Sequence, residues 1–142
     1  MEYELRQAGP ADREFIWKLR CETMRPIVEP VDGWDEATQR SYADESLSGR
    51  IVMVAGEPAG VLTIANWGSE MHLVWIALLP KYQRRGLGTA LIQSAQREAA
   101  SAGLPLGLQV QTNNPACELY RRLGFTDRVR GANRILMRWS AA

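Results

Sequence analysis

A basic turn that contains two glycines has the residue types best suited in this chain to binding a phosphate group. It follows an apolar run that ends at Pro80, and it leads into a helical pattern from Leu87 to Ala102. The first N–H groups of a helix have no partner within it, and the helix dipole adds partial positive charge there. The order strand, basic glycine turn and helix therefore predicts an anion site. The turn consists of Gln83, Arg84, Arg85, Gly86, Leu87, Gly88 and Thr89.

The glycine spacing excludes two common kinds of nucleotide loop. A dinucleotide fingerprint needs a third glycine at position 91, where this chain has Leu91. A Walker loop needs Gly-Lys-Ser/Thr, which does not follow. Glycines at strand-to-helix turns also serve packing alone, and the side chains of Arg84 and Arg85 also suit a solvated face.

A second segment, about one βαβ unit downstream, makes the pattern specific. It reads Asn113-Asn114-Pro115-Ala116, then Leu119-Tyr120-Arg121-Arg122-Leu123-Gly124-Phe125. With the turn, it resembles the GCN5-related N-acetyltransferases, whose pyrophosphate loop is Gln/Arg-x-x-Gly-x-Gly/Ala and whose other motif is Asn…Leu-Tyr-x-x-Leu-Gly-Phe. The resemblance runs roughly from Tyr3 to Trp139 and is sharpest from Leu73 to Phe125.

The resemblance implies a fold, a cosubstrate and roles for site residues. The fold would be α/β, with a mixed central sheet, splayed parallel strands 4 and 5, and helices on both faces. Acetyl-CoA would donate the acetyl group, with its pyrophosphate on the turn and its pantetheine along the backbone of Ile76, Ala77 and Leu78. Tyr120 would protonate the thiolate of CoA, since a phenol is a suitable acid for this step. Asn114 would contact the cofactor, although Asn113 restores the family's spacing to the tyrosine.

The acceptor side is less defined. A primary amine must attack the thioester carbonyl, so a base is needed unless water takes the proton. The acidic stretch before position 37 favours a cationic amine weakly, because such stretches are usually just solvated. Trp34 and Trp67 either line the acceptor pocket or cover core. The candidate bases are Glu29, Asp32, Glu36, Glu70 and His72.

Length, charge and composition limit the kinds of protein that this chain can be. The 142 residues suit one domain, 1–142, and a net charge of +1 gives no reason to expect nucleic acid as a partner. No apolar run reaches the roughly 18 residues that indicate a membrane span, and Met1-Glu2-Tyr3-Glu4 is unlike a signal peptide. Cys21 and Cys117 lack the spacing of metal ligands, so we expect no metal site. We expect both thiols to be buried and the protein to be cytoplasmic, where cysteines stay reduced. Exposed final strands make a homodimer conceivable.

Periodicity predicts the elements that position these residues. We expect a helix that begins near Pro10 and ends at Met24-Arg25-Pro26, a loop over residues 27–34, and a helix from Glu36 with Tyr42 towards the core. The predicted strands are Tyr3–Gln7, Arg50–Ala55, Val61–Trp67, Met71–Leu79, Leu106–Gln111, Phe125–Arg130 and Arg134–Trp139, with a turn at Gly56–Gly60. The later helices are predicted at Leu87–Ala102 and Ala116–Leu123.

These features together predict an acetyl-CoA-dependent N-acetyltransferase with an unidentified acceptor: a small molecule, an amino acid, or a protein or peptide. A non-catalytic acyl-CoA-binding sensor would share the same loop, but Tyr120 favours the enzyme. A phosphate binder unrelated to CoA would require the second segment to be a coincidence.

Overall fold

A computed structural model describes residues 1–141 of the chain. The strands are β1 (Glu4–Gln7), β2 (Arg50–Val54), β3 (Glu57–Asn66), β4 (Met71–Leu78), β5 (Leu106–Gln111), β6 (Thr126–Arg130) and β7 (Arg134–Trp139). The helices are α1 (Arg13–Asp32), α2 (Glu36–Glu45), α3 (Leu87–Ala102) and α4 (Ala116–Arg122). Short 3-10 turns lie at Pro10–Asp12, Ser46–Ser48 and Pro80–Tyr82.

The seven strands hydrogen-bond in the order β1-β2-β3-β4-β5-β7-β6. β4 and β5 are parallel, whereas the pairs β1-β2, β2-β3, β5-β7 and β6-β7 are antiparallel. The expected mixed sheet is therefore confirmed. The chain divides into two compact units, with unit 1 comprising residues 1–63 and 75–88 and unit 2 comprising residues 64–74 and 89–141.

Unit 1 has a core between its two helices and its strands. Ile16 and Leu19 of α1 pack in one cluster with Ile51 of β2, Val61 of β3 and Trp75 of β4. The β2–β3 turn is shorter than predicted, because Val54 already pairs with Glu57. Its two central residues, Ala55 and Gly56, have φ of 51° and 80°. Positive φ at both positions is the geometry that matches the twist of a two-residue hairpin.

The predicted end of the first helix is wrong. α1 continues through Pro26 and Pro30 to Asp32, so residues 27–32 are helical rather than loop. Proline inside a helix removes a backbone donor and costs about 3 kcal/mol in an isolated helix. Val28, between the two prolines, is 4% exposed, and Arg25 and Glu29 form an ion pair one turn apart. Tertiary burial, which the local pattern does not contain, therefore favours the longer helix.

The second helix begins as predicted but faces a different way. The Asp35 carboxylate accepts a hydrogen bond from the Thr38 N–H at 3.0 Å, which is the expected N-cap of α2. Ala43 and Gln39 are the buried residues of α2, whereas Tyr42 is 46% exposed. The prediction that Tyr42 lies towards the core is therefore wrong.

Unit 2 is built on β5, which pairs with β7 along its whole length from Leu106–Trp139 to Gln111–Arg134. The pairing of β5 with β4 is much shorter, because it runs only from Met71–Leu106 to Leu73–Leu108. α3 ends at Ala102, and Gly103 follows it with φ of 70°.

No helix within residues 1–141 is long and apolar enough to cross a membrane.

Candidate active site

The basic turn of unit 1 connects β4 to α3, as predicted. The 3-10 turn Pro80–Tyr82 comes first, and α3 begins at Leu87. The side-chain amide of Gln83 donates a hydrogen bond to the Leu78 carbonyl at 2.9 Å, which ties the turn to the end of β4. Arg84 and Arg85 are exposed, so their guanidinium groups face solvent.

Two residues of the turn have left-handed backbone geometry. φ is 60° at Arg84 and 80° at Gly86. A non-glycine residue in this region costs about 1–2 kcal/mol, so the conformation of Arg84 is strained. A Cβ added at Gly86 would meet no heavy atom within 4 Å. Packing within the protein therefore does not require glycine there, and the backbone of the turn is open to a ligand.

The end of β4 lies against β3. The Leu79 N–H donates to the Ala59 carbonyl at 2.8 Å, and a Cβ at Gly60 would collide with the carbonyl oxygen of Ala77. Ala77 and Leu78 are buried, whereas Ile76 is half-buried. The backbone of Ile76, Ala77 and Leu78 thus lies at the end of β4, close to β3.

The remaining predicted cofactor residues lie in unit 2 or beside it in sequence. Gly88 and Thr89 are in the first turn of α3 and are half-buried. The Asn114 side-chain oxygen accepts from the Ala116 N–H at 2.9 Å, and the Asn114 carbonyl accepts from the Cys117 N–H at 3.1 Å. The Asn114 side chain therefore closes a turn immediately before α4, whose N-cap is Pro115. Asn113 is exposed.

Tyr120 lies at the end of α4 in a defined helix terminus. The Phe125 N–H donates to the Tyr120 carbonyl at 3.0 Å, and the Gly124 N–H donates to the Arg121 carbonyl at 3.1 Å. Gly124 has φ of 98°, and the rings of Tyr120 and Phe125 meet edge to face with centroids 5.7 Å apart. These are the bonds and the apolar contact of a Schellman motif. The segment Leu119–Phe125 therefore has a structural explanation that is complete without a ligand.

Burial of Tyr120 raises its pKa well above the ordinary value. The side chain is 7% exposed, so the phenol stays protonated across the neutral range. A protonated phenol is the form that an acid for a thiolate must have.

The acidic residues of the acceptor region lie on helices. Glu29 pairs with Arg25 at 2.9 Å, and Glu36 lies 3.6 Å from Arg40. Asp32 is the last residue of α1 and is exposed. Pairing of Glu29 and Glu36 with arginines weakens the argument that this stretch attracts a cationic amine.

Glu70 and His72, the other candidate bases, lie together at the start of β4 in unit 2. His72 Nδ1 is 3.8 Å from a Glu70 oxygen, and the His72 ring stacks on the exposed Trp67 at 4.2 Å. Glu70 also accepts a hydrogen bond from Arg138 Nε at 3.1 Å, and Nη2 of the same arginine lies 2.8 Å from the same Glu70 oxygen. Burial lowers the pKa of His72, although Glu70 opposes the shift. The imidazole is therefore neutral near pH 7, which is the state that accepts a proton.

One polar cluster was missed by the sequence analysis. Arg20 is buried on α1, and its guanidinium contacts the ring of Tyr42 and the ring of Trp75. The sequence contains a signal for it, because Arg20 falls four residues after Ile16 on the apolar stripe of the helix. A charged residue on the apolar stripe of a helix faces the core and is therefore expected to be buried.

Comparison of the sequence with models of known protein families identifies its family. The model described as Acetyltransferase (GNAT) family matches residues 13–125. The chain belongs to the GNAT acetyltransferase family. That match includes the glycine turn, β4, Asn114 and Tyr120, so all predicted site residues fall within it.

Two curated acetyltransferases share part of the sequence. An N-alpha-acetyltransferase of Sulfurisphaera tokodaii is 43% identical over 93 residues, covering 54% of this chain and 55% of that protein. Streptothricin acetyltransferase of Escherichia coli is 30% identical over 94 residues, covering 65% of this chain and 48% of that protein. The chain thus spans about half the length of the curated relatives it matches.

Solved structures of GNAT proteins share the fold. A crystal structure of the PaiA N-acetyltransferase from Thermoplasma acidophilum, in complex with coenzyme A, matches with a TM-score of 0.79. The match covers 99% of this chain and 100% of that chain at 16% identity. The likeness at this identity is one of fold.

Proposed function

We propose that this GNAT chain transfers an acetyl group from acetyl-CoA to a primary amine, by direct attack of the amine on the thioester. The open glycine turn at the start of α3 carries the proposal. Gly86 has a positive φ with nothing within 4 Å of an added Cβ, and the turn lies in a chain of the GNAT family. The coenzyme A complex of a protein with this fold supports the choice of cosubstrate.

The turn would bind the pyrophosphate of acetyl-CoA. The unpaired N–H groups at the start of α3 would donate to phosphate oxygens, aided by the helix dipole. Leu87 is buried and anchors the helix start, while Gly86, Gly88 and Thr89 present the backbone. Gln83 would act indirectly, since its side chain fixes the turn to Leu78. Arg84 and Arg85 would add positive charge from solvent.

The thioester would lie along β4. The backbone of Ile76, Ala77 and Leu78 would pair with the pantetheine like an additional strand. These residues follow Met71–Leu73, the part of β4 that pairs with β5. A backbone N–H at this position would also stabilise the oxyanion that forms on the carbonyl. The side chains of Ala77 and Leu78 are buried in the core, so only their main chain is assigned to this role.

Tyr120 would be the acid of the reaction. The amine nitrogen forms a bond to the carbonyl carbon, the carbon–sulfur bond breaks, and the thiolate takes the phenol proton. The proton lost by the amine goes to water or to a base, for which the neutral His72 beside Glu70 has the appropriate protonation state. Asn114 would orient α4 through the turn that it closes, and through it Tyr120.

Calorimetric titration with acetyl-CoA tests the binding half of this proposal. Thiol release across amines, amino acids and peptides then tests the chemical half. We expect binding together with turnover on at least one amine. Binding without turnover on any acceptor would favour a non-catalytic acyl-CoA sensor, and absence of binding would overturn the assignment of the turn.

A further inference from the structure

A buried arginine in unit 1 has no role in the proposed cofactor site. Arg20 is 8% exposed and lies on α1, beside Gln39 and Tyr42 of α2 and Trp75 of β4. Its Nε donates to the Gln39 side-chain oxygen at 2.8 Å. Arginine has five N–H donors, so most of its hydrogen-bonding capacity lies on the two terminal nitrogens.

The charge of Arg20 is not neutralised locally. No carboxylate within residues 1–141 lies within ion-pair distance of it. Glu45 attracts it from farther away, and burial lowers the pKa of Arg20 to about 10, so the guanidinium remains charged at neutral pH. A buried charge without a carboxylate in contact is unfavourable, because buried arginines are ordinarily in ion pairs.

Two aromatic rings determine which part of the guanidinium remains available. The Tyr42 ring centroid is 5.3 Å from Cζ of Arg20, and the Trp75 ring centroid is 5.2 Å from it. Trp75 is buried on the sheet side, whereas Tyr42 is 46% exposed on the solvent side. Aromatic faces favour the planar cation but accept none of its in-plane hydrogen bonds.

The same cluster contains a second donor without an acceptor. The indole Nε1 of Trp75 is fully buried and has no hydrogen-bond partner in the described chain. Its ring is the one that the Arg20 guanidinium contacts. A buried N–H ordinarily finds a partner, so a cation without a carboxylate and an indole N–H without an acceptor leave this cluster short of an anion.

We infer that Arg20 and Trp75 bind a carboxylate of the acyl acceptor, so that the acceptor is an amine that carries a carboxylate. This inference rests on the proposed N-acetyltransferase function. A planar carboxylate matches the guanidinium edge, and its single charge matches the one cation in the cluster. The exposed Tyr42 forms the solvent side of this carboxylate subsite. The carboxylate belongs either to a free amino acid or to an acidic residue that begins a peptide.

The first test measures binding without turnover. The indole N–H signal of Trp75, assigned through Trp75→Phe, is followed by nuclear magnetic resonance during titration with N-acetylglycine and, separately, N-acetylaspartate. The matched probes are N-acetylglycinamide and N-acetylasparagine amide, which lack a carboxylate. A shift with either carboxylate probe and none with its neutral match supports the subsite. No shift, or equal shifts with carboxylate and neutral probes, overturns it.

The second test compares acceptors by their kinetics. One arm uses glycine against glycinamide, and the other uses amidated peptides beginning with Asp against the same peptides beginning with Asn. We expect at least about a tenfold higher kcat/KM for the carboxylate member of one pair, and that pair identifies the source of the carboxylate. Equal rates within both pairs overturn the inference and leave the acetyltransferase proposal intact. Absence of acetyl-CoA binding or of all turnover instead defeats the proposed function, and the resonance test then decides the subsite alone.

Variants separate recognition from packing. Arg20→Met keeps the length of the side chain and removes its charge, so we expect KM for the preferred acceptor to rise about tenfold while acetyl-CoA affinity is unchanged. Arg13→Met is the matched control, because Arg13 is an exposed arginine of the same helix in an ion pair with Asp44. An unchanged KM in Arg20→Met overturns the role of Arg20. If Arg20→Met does not fold, Trp75→Phe and the wild-type acceptor pairs still decide the question.

Discussion

The two segments that resemble the family differ in how far the fold itself explains them. In the segment Leu119–Phe125, Gly124 ends a helix, Phe125 packs on Tyr120, and the backbone bonds close a Schellman motif. In the turn Gln83–Gly88, the fold explains Gln83 through its bond to Leu78 but gives no packing reason for Gly86. The positive φ of Gly86 favours glycine, but the open space around it leaves room for a ligand. The turn is therefore stronger evidence for a ligand than the Tyr120 segment, which the fold explains completely.

The largest expected effect is that of Tyr120→Phe on kcat, and it would make Tyr120 the better supported of the two segments. Tyr120→Phe should lower kcat about 100-fold or more if the phenol is the acid, because general acid catalysis contributes about that much. Acetyl-CoA affinity and unfolding free energy should change little, since the ring and its contact with Phe125 remain. Steady-state kinetics with calorimetry checks this. An unaltered kcat would leave Tyr120 as part of the helix terminus only.

A substitution in the turn Gln83–Gly88 should weaken acetyl-CoA binding rather than destabilise the fold. Gly86→Val should weaken acetyl-CoA binding about 10- to 100-fold, by crowding donors that each contribute to a charged group. Gly56→Val is the matched control, because Gly56 also has φ of 80° with nothing within 4 Å of an added Cβ. Both variants carry the same backbone strain, so calorimetry should separate them. Equal affinities in the two variants would contradict the assignment of the turn.

A substitution at the end of α4 should lower the unfolding free energy rather than weaken binding. Gly124→Ala should lower the unfolding free energy by about 1–2 kcal/mol from its positive φ, with an added cost from contact with Trp139. An added Cβ would lie 3.1 Å from Cδ1 of Trp139. Gly103→Ala has a φ of 70° and no neighbour within 4 Å, so it measures the backbone cost alone. Urea titration should find Gly124→Ala the less stable variant; the opposite order would show that the contact relaxes freely.

The smallest effect is a dependence of stability on pH. The pKa of Tyr120 is raised in the folded state, so above its ordinary value near 10 the unfolded chain loses the phenol proton while the folded chain keeps it. The unfolding free energy contributed by this group is therefore complete below pH 10 and falls as the pH rises above it. The difference between wild type and Tyr120→Phe should grow from pH 9 to 11 in chemical denaturation. A constant difference would mean that the phenol is not buried.

Local patterns were sufficient for the elements of unit 2 and for the turn. Strand periodicity predicted β5 and β7 to the residue, and the helical pattern with its glycine predicted α3 with its end at Gly103. The predicted helix starts at Glu36 and Ala116 are both observed, because the signals for a helix start act within one helical turn. The identity of the family also followed from sequence, because its two motifs are contiguous segments.

Tertiary structure decided what depends on burial by distant residues. Pro26 and Pro30 predict a helix end locally, but α1 continues because Val28 packs inside the fold. Tyr42 was predicted to face the core, but Arg20 and Gln39 occupy the interior and leave its ring half exposed. The cluster of Arg20 with Trp75 joins residues 55 positions apart in sequence. Periodicity reports which face of one element is apolar, whereas burial of a charge depends on which elements meet, and only the assembled fold determines that.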